Sequence, residues 1–218
     1  MSPRHNDADE RQRVLDAAER IFAERGFGDT RMQDIAAEAR VSLRSVYGVA
    51  KGKAPLYRAL HELRARDLLG RIEGALADKS RNPADRLMEV IAVVATFLMD
   101  HPDFLRIQLQ EGGNWALDEP DRTLLVTERH ASDRLLERLF RQGIREGAFH
   151  AEDPRMLVAS LRALEQVHLA AWVGRRGRIS RKATIESIER QARRLFCLPS
   201  GRDARPRRGG ASASARGG

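Results

Sequence analysis

Apolar residues recur three and four positions apart along most of this chain, and no stretch shows the strict alternation of a half-buried strand. The first stripe, Val14, Ala17, Ala18, Ile21 and Phe22, predicts a helix from Asp9 to Gly26. An Asp9–Gln12 capping box is expected to open it, and Gly26 sits where a left-handed C-terminal cap belongs. Phe27 should then fold back onto the stripe. Two short patterns follow. Met32, Ile35, Ala36 and Ala39 give the inner face of one, with Thr30 and Gln33 as its expected capping box. Ser42 supplies the N-cap oxygen of the other, whose Val46 turns inward with Val41 while Leu43, Arg44, Ser45 and Tyr47 stay outside.

Past Gly52 the pattern remains helical. A fourth helix starts at Lys53 or Ala54, tolerates Pro55 in its first turn, and runs through Leu56, Leu60, Leu63 and Leu68 towards Ala77. The next, about 83–100, is apolar nearly all round (Leu87, Met88, Val90, Ile91, Val94, Phe97, Leu98), which predicts a place in the middle of a bundle. Pro102 opens a short helix that Gly112-Gly113 ends, and longer ones are expected at about 120–146, 153–174 and 180–198. The fold class is therefore all-α. The boundaries expected are an arm at 1–8, a head at 8–68, a bundle at 69–198 and a low-complexity basic tail at 199–218 without an apolar face, which should be disordered.

Two short helices joined tightly, the second crowding hydroxyl, guanidinium and phenol groups onto its outer face, form a helix-turn-helix over about 31–50. The upstream helix is the third element needed to bury their apolar backs. The run RVLDAAERIFAERGFGDTRMQDIAAEARVSLRSVYGVAKGK resembles the TetR family of bacterial transcriptional regulators over about residues 8–68. The resemblance implies a dimeric, ligand-responsive repressor reading a palindromic double-stranded DNA operator. It implies DNA contacts from Gln33, Ser42, Leu43, Arg44, Ser45, Tyr47 and Gly48, and a phosphate contact from Lys53. Departures are clear too. Arg40 stands where the family usually has glycine, so Arg must adopt the left-handed conformation or the turn must shift. Gly48-Val49-Ala50 replaces the usual aromatic or histidine pair and phenylalanine, which points to altered operator preference.

The last two helices carry strong stripes: Leu157, Leu161, Leu164, His168 and Trp172 on one, Ile185, Ile188, Ala192, Leu195 and Phe196 on the other. Each needs a partner surface. Core packing within one chain is one reading. The resemblance implies the other, a four-helix homodimer interface using Leu157, Leu161, Leu164, Trp172, Ile185, Ile188 and Phe196. It also implies a small-molecule cavity in the C-terminal bundle. Phe97 and the polar groups His101, Arg106, Gln110, Trp115, His130 and His168, set among apolar residues, are the candidates to line it.

Composition narrows the alternatives without choosing among them. The formal charge of +8 over 218 residues favours polyanionic partners, but half of it lies in the tail, where five arginines face one aspartate. Cys197 is the only cysteine, which suits a reducing compartment such as the cytoplasm and a buried role at a helix end. The longest apolar run, Val90 to Met99, is too short to span a bilayer, and the first 25 residues lack an apolar core for secretion. Neither a Gly-x-Ser-x-Gly elbow nor a phosphate-binding Gly-Lys-Ser/Thr loop is present, and the six histidines lack paired ligand spacing, so no enzyme, metal or cofactor is expected. A helical protein-interaction or RNA-binding module that keeps the scaffold without reading an operator is the competing function.

Overall fold

The computed structural model describes residues 3–110, 126–174 and 179–199. Nine helices occur among the described residues: α1 (Pro3–Asp29), α2 (Met32–Ala39), α3 (Leu43–Val49), α4 (Lys53–Ala75), α5 (Pro83–Asp100), α6 (Pro102–Gln110), α7 (Val126–Arg145), α8 (Pro154–Gly174) and α9 (Arg181–Phe196). The stop and start chemistry explains most boundaries. Gly26 breaks α1 at φ 76°, the conformation that favours glycine. Asn82 caps α5 by accepting the Ala84 N–H at 2.8 Å, with Pro83 in the first turn, where a missing N–H is harmless. Ser180 caps α9 by accepting the Ala183 N–H at 3.1 Å.

Two expected capping boxes do not form. The first helix begins at Pro3, inside the segment read as an arm, so Asp9 lies within the helix and Gln12 donates instead to Asp16 at 2.8 Å. At α2 the cap residue is Arg31, whose backbone N–H donates to the Asp34 carboxylate at 3.3 Å. Thr30 is spent elsewhere. Its hydroxyl donates to the Gly26 carbonyl at 2.7 Å, satisfying an acceptor left open where α1 breaks.

Two apolar cores organise the chain. The first joins α1 to α4 through Val14, Ala18, Phe22, Ile35, Val46, Leu56 and Leu60. The second fills the bundle of α4, α5 and α7–α9, with Phe97, Phe140, Phe149 and Phe196 among its members. Phe140 packs its ring against Phe149 and Phe196 at 5.1 and 5.6 Å. Helix α6 belongs to both: Phe104 and Leu105 enter the bundle core, whereas Ile107 enters the head core. The end of α9 is tied down by the His150 N–H to Phe196 carbonyl bond at 3.0 Å, and burial pushes the neighbouring Cys197 thiol up in pKa. No helix among the described residues is long and apolar enough to cross a membrane.

Candidate nucleic-acid interface

Helix α3 is held by one side and offers the other. Val46 is fully buried in the head core, and Ala50, whose N–H donates to the Val46 carbonyl at 3.1 Å, closes the helix end against the same core. Ser42 accepts the Ser45 N–H at 3.1 Å, fixing the N-terminal turn. These anchors leave Arg44, Tyr47 and Gly48 exposed, with Leu43 and Ser45 half-buried beside them. Tyr47 is 42% exposed although it is aromatic. On α2, Gln33 is exposed as well. Arg44, Tyr47 and Gly48 are therefore offered to solvent from an apolar back, to which Leu43 also contributes.

The turn adopts the conformation that its sequence makes expensive. Arg40 takes φ 54° and ψ 47°, alone among the described non-glycine residues in having positive φ, and its N–H bonds back to the Ala36 and Ala37 carbonyls. A left-handed non-glycine residue costs roughly 1–2 kcal/mol. The Val41 N–H to Ala36 carbonyl bond at 3.1 Å and the burial of Ala39 and Val46 hold it there.

Around this motif the head is braced by charge. Glu19 on α1 is 6% exposed and accepts from Arg64 on α4 at 2.7 Å; burial raises the Glu19 pKa while Arg64 opposes the rise. Arg20–Glu38 at 2.9 Å and Arg25–Asp34 at 3.0 Å tie α1 to α2. Arg40, Arg44 and Lys51 have no ion-pair partner among the described residues. Lys53 has partners inside the head. Its ammonium donates to the Gly28 carbonyl at 2.8 Å and lies 4.7 Å from the Phe27 ring centroid, so it staples α4 to the end of α1. Phe27 in turn stacks on Phe22 at 6.0 Å, folded back as its position suggested.

The comparisons with known proteins agree with this geometry. Residues 14–60 match the model for bacterial regulatory proteins of the tetR family, and residues 80–196 match that for the tetracyclin repressor-like C-terminal domain. The chain belongs to the TetR family. It is a DNA-binding, ligand-responsive transcriptional regulator, as that membership entails. No curated protein matches the chain. Solved structures share the fold at low identity. The fatty acid degradation regulator FadR from Bacillus halodurans superposes with TM-score 0.74 at 15% identity, covering 88% of this chain and 95% of that one. A TetR-family regulatory protein from Rhodococcus RHA1 gives 0.71 at 23% identity, with 87% and 98% covered. A putative transcriptional regulator from Saccharomonospora viridis, solved in complex with choline, gives 0.71 at 18%, with 88% and 100% covered.

In this TetR-family chain the residues proposed to line a ligand cavity are mostly committed to neighbours. Phe97 is fully buried in the bundle core, 4.4 Å from the His101 ring, and His101 bonds through Nδ1 to the Phe97 carbonyl at 2.8 Å. Arg106 pairs with Asp103 on its own helix, and Gln110 donates to the Ala23 carbonyl of α1 at 2.7 Å. His168 is half-buried on α8. Trp115 and the His130 side chain lie outside the described residues. A polar cluster that sequence reasoning missed sits between α7 and α8. Arg162 bonds to Asp133 at 3.1 Å, Ser132 at 3.2 Å and Glu165 at 3.3 Å, and burial raises the Glu165 pKa against the pull of Arg162.

The proposed dimer residues are also placed inside one chain. Leu157, Leu161, Ile188 and Phe196 are buried in the chain's own core, and Leu164, Trp172 and Ile185 pack against that core. Leu157, Leu161, Ile188 and Phe196 are covered without a second copy, whereas Leu164, Trp172 and Ile185 stay half-buried. Trp172 is further covered by Arg181, whose guanidinium carbon lies 5.9 Å from its ring centroid. What α8 and α9 do expose is a different line: Met156, Ser160, Val167 and Ala170 on α8, with Leu195 on α9.

Proposed function

We propose that the protein is a dimeric repressor whose two α3 helices enter successive major-groove faces of a palindromic operator, and whose affinity falls when a small molecule occupies the C-terminal bundle. The observation that carries the reading is the solvent-facing surface of α3, with Arg44 exposed and unpaired on a helix locked from behind by Val46. Arginine at such a position matches guanine O6 and N7 bidentately. Paired half-sites separated by one helical turn, about 34–36 Å, require two heads. Exposed apolar side chains on the last two helices, Met156 and Val167 on α8 at 62% and 68% and Leu195 on α9 at 57%, offer the subunit contact.

Helix α6 supports the ligand response. It puts Leu105 in the bundle core and Ile107 in the head core, so a displacement of the bundle end moves α1 with it. The effector is read as a small, mostly apolar molecule; the Saccharomonospora viridis protein of the same fold was solved in complex with a small molecule, choline. Work on a chromosome places the protein in the cytoplasm.

Selection of bound duplexes from a random pool tests the proposal. A palindromic consensus with half-site centres about 10 base pairs apart, or a multiple, is expected. Binding that depends on salt alone, with no enriched sequence, would leave a scaffold without operator readout.

A further inference from the structure

Arg40 combines three properties that have no structural justification together. It sits in a left-handed conformation that glycine or asparagine adopts more easily, it is exposed, and its guanidinium has no ion-pair partner among the described residues. Burial does not explain it, nor does a brace within the fold. Its position offers a reason. Arg40 is the C-cap of α2, the helix that crosses the DNA backbone in a helix-turn-helix, and it lies two residues before Ser42, the N-cap of the recognition helix. At the other end of α3, Lys51 is exposed and unpaired in the turn to α4. The seven residues of α3 span about 10 Å.

We infer that Arg40 is a phosphate anchor at the mouth of the recognition helix, with Lys51 a second free cation at that helix's other end. The inference rests on the operator-binding reading above. It also accounts for the strain: a long cationic side chain at the mouth of the recognition helix is retained at the expense of an easier turn. Lys53, with its ammonium engaged by Gly28 and Phe27, supplies less to the backbone than its place at the start of α4 suggests, and Arg40 makes up that contact.

Arg40→Asn and Arg40→Gly keep the turn and remove the charge, whereas Arg40→Lys keeps the charge. Each variant is compared with the wild type on the duplex enriched by selection and on a random-sequence duplex, across a salt series, alongside its thermal midpoint. The neutral variants should melt no lower than the wild type. They should bind both duplexes several-fold more weakly, and the slope of log K against log salt should fall by about 2 in the dimer, one per subunit. Arg40→Lys should retain the slope. Wild-type binding with an unchanged slope in both neutral variants overturns the anchor while leaving the operator reading intact. A wild type that enriches no duplex overturns the operator reading and the anchor with it.

Discussion

Ile107 is the side chain through which α6 holds the head, and its truncation should loosen one contact and spare the rest of the fold. It is 2% exposed and lies in the head core, although its helix starts in the bundle. Ile→Ala at such a site costs about 2–5 kcal/mol, the removed methylenes plus the cavity left behind. Taking about 3 kcal/mol, the midpoint of a chain this long should drop by roughly 6–12 °C. Where the loss appears matters more than its size. Nearby, the Gln110 to Ala23 bond at 2.7 Å fixes the same α1–α6 contact and is worth about 1 kcal/mol, so Gln110→Ala should be milder and should not add independently to Ile107→Ala. Amide hydrogen exchange reads the location. Faster exchange is expected in α6 and the second half of α1, with the centre of α5, where Val90, Ile91, Val94 and Ala95 are buried, unchanged. If α5 and α8 lose protection as much as α1 does, or if α1 is unaffected, α6 is not the link between the two cores.

Other outcomes follow from single sites. Val167→Asp, on the exposed line of α8, should leave the folded chain intact yet sediment as a monomer with sharply reduced operator affinity; a persistent dimer would place the interface elsewhere. Gly143→Ala would drive a methyl into the Phe149 ring, with Pro83 Cβ only 3.1 Å away, and should cost about 1–3 kcal/mol by denaturant titration. Burial raises the Glu165 pKa above its unfolded value, so this group's contribution is present in acid and lost as pH rises from about 4.3 through the folded pKa. Glu165→Gln should therefore lose less stability than the wild type between acid and neutral pH, checked by thermal melts across that range.

What could be read in advance was local chemistry. Asn82-Pro83 and Ser180 mark helix starts because their side chains cap the N–H groups two or three residues on, and Gly26 breaks α1 because only glycine takes that backbone angle cheaply. The surface of α3 was largely legible, since Val46 is the inward residue of a very short helix and Arg44, Tyr47 and Gly48 face out, although Leu43 and Val49 also lean on the core. Competition among partners was not. Thr30 has the sequence of a cap, but the Gly26 carbonyl takes its hydroxyl. Nor does a stripe say what covers it: Leu161 and Ile188 are as apolar as an interface requires, yet one chain supplies their cover. The exposed line on α8 gave little signal because Ser160 and Ala170 dilute Met156 and Val167. The Arg162 cluster was hidden for another reason: Glu165 lies three residues along the same helix, but Asp133 and Ser132 meet Arg162 only when α7 packs on α8.

Base readout by α3 is the central claim, and the binding profile of Arg44→Ala against every single-base variant of the selected operator tests it most directly. The account predicts a loss of about 1–3 kcal/mol on the consensus, with preference flattened at one position in each half-site and kept at the others. A uniform loss over all variants, or none, would contradict it.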